Sequence, residues 1–160
     1  MTKIVENYNT INSNIRKLNP KNPVKIIAIS KTFDLNHIKP LIDIGHEHFG
    51  ENKVQEAVTK WSEIKKEKKY LKLHMVGKLQ SNKAKNAFLL FDYIHSLDSK
   101  KLADIFSKCE EGSDKKLKYF IQVNIGNEPQ KSGIPVNEID NFYDFCTKER
   151  NLNILGLMVI

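Results

Sequence analysis

Six short apolar runs, each separated from the next by a segment of helical spacing, constrain this fold more than any other feature of the sequence. They are VKIIAIS (24–30), EHFG (47–50), YLKLHMVG (70–77), DYIHS (92–96), KYFIQVNI (118–125) and ILGLMVI (154–160). Most are near-continuous in branched and aromatic residues rather than strictly alternating, which is how strands covered on both faces read. The segments between them repeat apolar residues at helical spacing. Ile4, Tyr8, Ile11, Ile15 and Leu18 follow Thr2 and stop at NPKNP (19–23). Leu35, Ile38, Leu41 and Ile42 follow Asp34, a good cap, and end at Gly45. Further helices carry Val54, Ala57, Val58, Trp61 and Ile64; Ala84, Ala87 and Phe88; Leu102, Ile105 and Phe106; and Ile139, Phe142 and Phe145.

Strands that alternate with helices predict an α/β fold, a parallel sheet covered by helices. An open doubly wound sheet and a closed (β/α)8 TIM-type barrel both satisfy the pattern. The open sheet most often announces itself by a glycine-rich first turn, whereas here the first strand leads into SKTFD (30–34) with no glycine. The barrel is preferred, with about six of its eight strands present. Both architectures put functional groups at the C-terminal ends of the strands.

At 160 residues the chain fits one domain, 1–160. No run of 18 apolar residues is present, and residues 1–11 carry no apolar stretch of signal-peptide length, so a cytoplasmic protein is expected, with no membrane partner. Cys109 and Cys146 lie far apart without CxxC spacing and read as small apolar helix residues. The net charge of +7 and the cluster KKEKKYLKLH (65–74) invite a nucleic-acid reading. Only Arg16 and Arg150 among the 26 basic residues are arginine, the side chain that forks onto phosphates and bases, so nucleic acid is not expected as a partner. His46, Glu47 and His48 suggest metal ligands, but no third ligand with recognisable spacing supports them, and none is expected.

The strand ends hold the chemistry. In order they are Lys31, FGEN (49–52), HMVGKLQSNK (74–83), HS (95–96) and QVNIGNEPQKSG (122–133). A lysine leaving a buried strand is ordinarily the first solvated residue. Held against apolar walls, its amine would instead lose the ammonium form and become a nucleophile able to condense with an aldehyde. Each other segment has a bland reading as well. Gly50 and Asn52 serve a tight exit and a cap, His74 a core hydrogen bond, and GNEPQKSG a loop.

Together, AISKT (28–32), FGENKVQE (49–56), HMVGKLQSNK (74–83), QVNIGNEPQKSG (122–133) and GLMVI (156–160) resemble the pyridoxal 5'-phosphate homeostasis proteins, whose fold is similar to the N-terminal barrel of alanine racemase. The resemblance implies that Lys31 carries pyridoxal 5'-phosphate as a reversible imine, with Asn52, His74, Asn124 and Met158 around the ring. It implies a non-catalytic carrier or buffer that passes the cofactor on, with PLP-dependent apoenzymes as partners. A racemase-like PLP enzyme is the alternative. The family's serine- and glycine-rich phosphate segments and its arginine facing the pyridine nitrogen find no match before Ile160. An incomplete barrel, a fragment or truncated product with weakened cofactor affinity, is therefore expected.

Overall fold

The computed structural model describes residues 2–126 and 128–160. Its elements alternate as the sequence predicts: α1 (Lys3–Lys17), β1 (Ala28–Ile29), α2 (Leu35–Asp43), β2 (His48–Glu51), α3 (Val54–Glu67), β3 (Lys72–Met75), α4 (Ala84–Leu90), β4 (Tyr93–Leu97), α5 (Lys100–Glu111), β5 (Lys118–Asn124), β6 (Ile134–Pro135), α6 (Ile139–Asp144) and β7 (Ile154–Met158). A π-helical segment, Phe145–Glu149, prolongs α6. Strands β1 to β5 lie side by side in chain order, and every pairing is parallel. β7 pairs with β5 from Tyr119↔Ile154 to Gln122↔Met158, and β6 pairs with the C-terminal end of β5 at Val123 and Asn124. The result is an α/β sheet of parallel strands that is not closed into a ring among the described residues.

Alternation along each strand sorts the side chains into two faces. Phe49, Leu73, Met75, Ile94, Tyr119 and Ile121 are buried against the helices, with Leu41, Ala57, Trp61, Leu102 and Phe106 in the same core. The opposite, inner face holds Ile27, Ile29, Gly50 and Val76 together, since a Cβ built on Gly50 would meet all three side chains. From there it continues through His48, His74 and His95, whose rings touch in succession, with Tyr93 stacked on His74 and Phe120 on His95. So the strands are apolar toward the helices and histidine- and aromatic-rich toward the inside, a division that the apolar runs do not reveal.

β1 has only two residues in the ladder, far shorter than 24–30, because its pairing with β2 is confined to Ala28↔Phe49 and Ile29↔Gly50. Asp34 caps α2 as expected by accepting from His37 N at 2.9 Å, and Gly45 follows the helix at φ +83°. No helix among the described residues is long and apolar enough to cross a membrane.

Candidate functional site

The C-terminal ends of β1, β2 and β3 are bound tightly to one another. Ser30 N donates to Gly50 O at 2.9 Å and Val76 N to Glu51 O at 2.9 Å, carrying the ladder past the last strand residues. Gly77 permits the close approach that follows, since a Cβ there would lie 2.8 Å from both Cα and Cβ of Asn52. Glu51 locks the same corner from the helix side. It is fully buried, and its Oε1 accepts from Ser30 Oγ at 2.7 Å, Lys60 Nζ at 2.9 Å and Trp61 Nε1 at 2.9 Å. One carboxylate thus ties β1, β2 and α3 together immediately before Lys31.

Lys31 lies two residues beyond Ile29, at the first central position of the turn that Phe33 N closes by donating to Ser30 O at 3.2 Å. It is exposed, not walled by apolar groups as the sequence suggests. The reason is geometric: β1 pairs with β2 alone, leaving its other edge uncovered. Asn52 is half-buried on the neighbouring strand exit, and its Oδ1 is buried without a hydrogen-bond partner among the described residues. A buried amide oxygen left in this state costs free energy. It is a natural acceptor for a bound molecule's donor.

His74 pairs with Gly50 in register and is 3% exposed. Both its ring nitrogens are engaged, Nε2 with His48 Nδ1 at 2.9 Å and Nδ1 with His95 Nε2 at 2.8 Å, and its ring stacks on Tyr93 at 4.1 Å. Burial first, then the neighbouring His95 and His48, push the His74 pKa down to about 2. Burial alone pushes His95 down to about 4, and His48 is lowered by burial and by the charge of Lys25. The three imidazoles are therefore neutral at pH 7, and His74 contributes shape and an aromatic edge rather than a free donor.

Asn124 and Met158 sit on the adjacent strands β5 and β7, with β4 between them and the Lys31 corner. Met158 pairs with Gln122, which puts it on the inner face. The Asn124 side chain is spent on the loop that follows it: Nδ2 donates to Glu128 O at 2.8 Å, while Oδ1 accepts from Glu128 N at 3.2 Å. The five residues thus form a group of three on β1 to β3 and a group of two on β5 and β7. Both groups are at the C-terminal end of the sheet.

Two residues at that end escaped selection from sequence. Ser96 Oγ is buried without a partner among the described residues, beside the irregularity in β4 between Ile94 and Leu97. Half-buried Asp98 has its carboxyl pKa raised by desolvation, against the pull of Lys78 and of the Gly133 N–H. The HS pair marks the first, whereas nothing in the sequence marks the second. The histidines at 46 and 48 part company, since His46 Nε2 donates to His48 O at 2.8 Å and its ring packs between Tyr8 and Phe49. Among the described residues no group of three His, Cys, Asp or Glu could hold a metal ion.

The exits of β1 and β2 thus carry an exposed lysine and an unpartnered amide oxygen, and the inner face is lined by the rings of His48, His74, Tyr93, His95 and Phe120. Residues 4–160 match the family model described as the alanine racemase N-terminal domain. The chain is 36% identical over 143 residues to the pyridoxal phosphate homeostasis protein of Buchnera aphidicola, covering 88% of this chain and 61% of that one. It is 32% identical to that of Vibrio alginolyticus, covering 100% and 72%. It thus spans about 60% of the length of most of these curated relatives. PipY of Synechococcus elongatus, solved without and with PLP bound, superposes with TM-scores of 0.78 and 0.76 at 34% identity over 92% of this chain and 69% of that one. This chain belongs to the alanine racemase N-terminal domain family, among the pyridoxal phosphate homeostasis proteins.

Proposed function

We propose that residues 1–160 form a single binding domain that holds pyridoxal 5'-phosphate reversibly through Lys31 and acts as a cytoplasmic carrier or buffer, without catalysing a reaction of its own. The observation that carries this reading is that the exits of β1 and β2, joined by Ser30 N donating to Gly50 O, carry an exposed Lys31 and the unpartnered Asn52 Oδ1. The solved relative with PLP bound supports it.

The cofactor supplies an aldehyde, with which a primary amine condenses reversibly. Lys31 supplies that amine, and its exposure leaves it open to incoming cofactor and to the competing amines of a recipient apoenzyme. Asn52 offers its buried oxygen to a donor on the bound ring. His74 on β3 and Met158 on β7 lie on the inner face, and Asn124 holds the loop that follows β5. Racemisation requires an acid and a base on opposite faces of the bound substrate, and Lys31 serves one face only.

Mixing the protein with pyridoxal 5'-phosphate should produce the absorbance band of an amine–aldehyde adduct, which borohydride then fixes on Lys31. An undiminished band in Lys31→Ala overturns the assignment. Loss of optical rotation of L-alanine dependent on Lys31 would replace the carrier reading with the racemase one.

A further inference from the structure

The opposite end of the same inner face carries a second arrangement. Lys72 pairs in register with His48, and Lys118 with Tyr93, so each shares the inner face with its partner. The Lys118 Nζ donates to Tyr93 Oη at 3.3 Å and lies 5.2 Å over its ring, which itself stacks on His74. Lys25 precedes Ile27 by two residues on the same side of the chain, and its charge is felt at both His48 and His74. These lysines come from β3, β5 and the approach to β1. Alternate strands of this kind contribute one layer of a barrel interior. His48 and Tyr93 come from the strands between, β2 and β4.

None of the three lysines forms an ion pair among the described residues, although ion pairs are common elsewhere on the molecule. The nearby carboxylate, Glu47, is exposed, and at His48 its pull is weaker than the opposing charge of Lys25. Three like charges gathered on one face repel one another, and a bound dianion turns that repulsion into attraction.

We propose that the N-terminal end of the inner face, formed by Lys25, Lys72, Lys118, His48 and Tyr93, binds a small oxyanion of the phosphate class. Lysine binds phosphate as a point charge. Tyr93 Oη accepts from Lys118 and so keeps its own proton to donate. His48 engages His74 through Nδ1, which leaves Nε2 for the anion. Only one tautomer serves. His48 donates from Nε2 and accepts at Nδ1 from His74 Nε2–H, whose Nδ1 in turn accepts from His95 Nε2–H. The lysines converge on the inside of the sheet instead of forming an outer stripe, which favours a small anion over an extended polyanion. The site is at the other end of the strands from Lys31 and does not depend on the carrier reading.

The test titrates inorganic phosphate into the whole chain, with chloride at matched ionic strength, while following the ring nitrogens of the histidines by NMR. A saturable shift at His48 and His74 toward the Nε2–H tautomer, absent in chloride and absent at exposed His37, supports the site. Lys72→Gln/Lys118→Gln should weaken it at least tenfold, and it should persist in Lys31→Ala. The double variant loses like charges and should keep its fold. Should it not, Lys72→Gln and Lys118→Gln singly must each weaken binding several-fold. Equal response to chloride, unchanged affinity in the lysine variants, or loss of binding in Lys31→Ala overturns the proposal.

Discussion

His74 Nε2 lies 2.9 Å from His48 Nδ1, a contact that follows from the pairing of β2 and β3, in which His48 sits two residues before the Gly50 that His74 faces and on the same side of the sheet. His74 is buried between two further imidazoles, so protonating it would introduce a charge that solvent scarcely reaches, and it stays neutral.

That neutrality makes stability depend on pH. His74 and His95 have folded pKa values of about 2 and about 4, below the 6.5 of an unfolded histidine. Between those limits the unfolded chain binds more protons than the folded one, so their contribution is complete above pH 6.5 and is lost as pH falls. Each should remove up to about 1.4 kcal/mol per pH unit. Urea unfolding between pH 7 and pH 5 should show this slope, and His95→Gln should flatten it. An unchanged slope in that variant would place the titration elsewhere.

The order and type of the elements were legible because burial on both faces leaves a mark in one dimension. Asp34 and Gly45 bracket α2 as read, through a side-chain cap and a positive φ. What escaped was set by partners distant in sequence. β6 is two residues inside a loop, visible only through its pairing with Val123 and Asn124. Glu51 stood in plain view within FGEN, but its partners Ser30, Lys60 and Trp61 come from another strand and a helix. The histidine chain draws one residue from each of three strands, so no spacing announces it. Lys31 was located correctly at a strand exit, while its exposure follows from β1 having a single neighbour.

Two glycines should respond oppositely to alanine. At Gly77 the new Cβ would meet Asn52 Cα and Cβ at 2.8 Å, and backbone must move, costing about 1–3 kcal/mol. At Gly112 nothing lies within 4 Å of the new atom. Its φ of −102° suits any residue, so Gly112→Ala should be neutral or stabilise by about 0.5 kcal/mol. Thermal unfolding of both variants checks the contrast, and a neutral Gly77→Ala would show that the corner yields.

Tyr119→Phe should be costly despite its small change in shape. Tyr119 Oη donates to Glu110 Oε1 at 2.7 Å, which also accepts from Leu117 N at 2.9 Å, and both side chains are buried. Removing the hydroxyl withdraws one of two donors from a buried carboxylate, a loss of about 1.5–3 kcal/mol. Denaturant titration measures it, and Phe106→Leu, which leaves both hydrogen bonds in place, separates it from packing.

The Glu51 corner joins stability to the proposed binding of cofactor. Glu51→Gln keeps an acceptor at Oε1 but leaves the Lys60 ammonium without its charge partner in a site where the two side chains are 13% and 0% exposed. Breaking a buried pair of this kind costs about 3 kcal/mol. Ser30→Ala removes the hydroxyl's bonds to Glu51 Oε1 at 2.7 Å and Gly50 O at 3.3 Å, one residue before Lys31, and should cost about 1–2 kcal/mol. If those bonds orient the amine, Ser30→Ala should keep its fold yet form adduct with pyridoxal 5'-phosphate several-fold more weakly than the parent chain. Measuring adduct absorbance against cofactor concentration, alongside urea unfolding, separates the two effects. Full adduct formation in a destabilised Ser30→Ala would mean that Lys31 is placed by the turn that follows it and not by the carboxylate behind it.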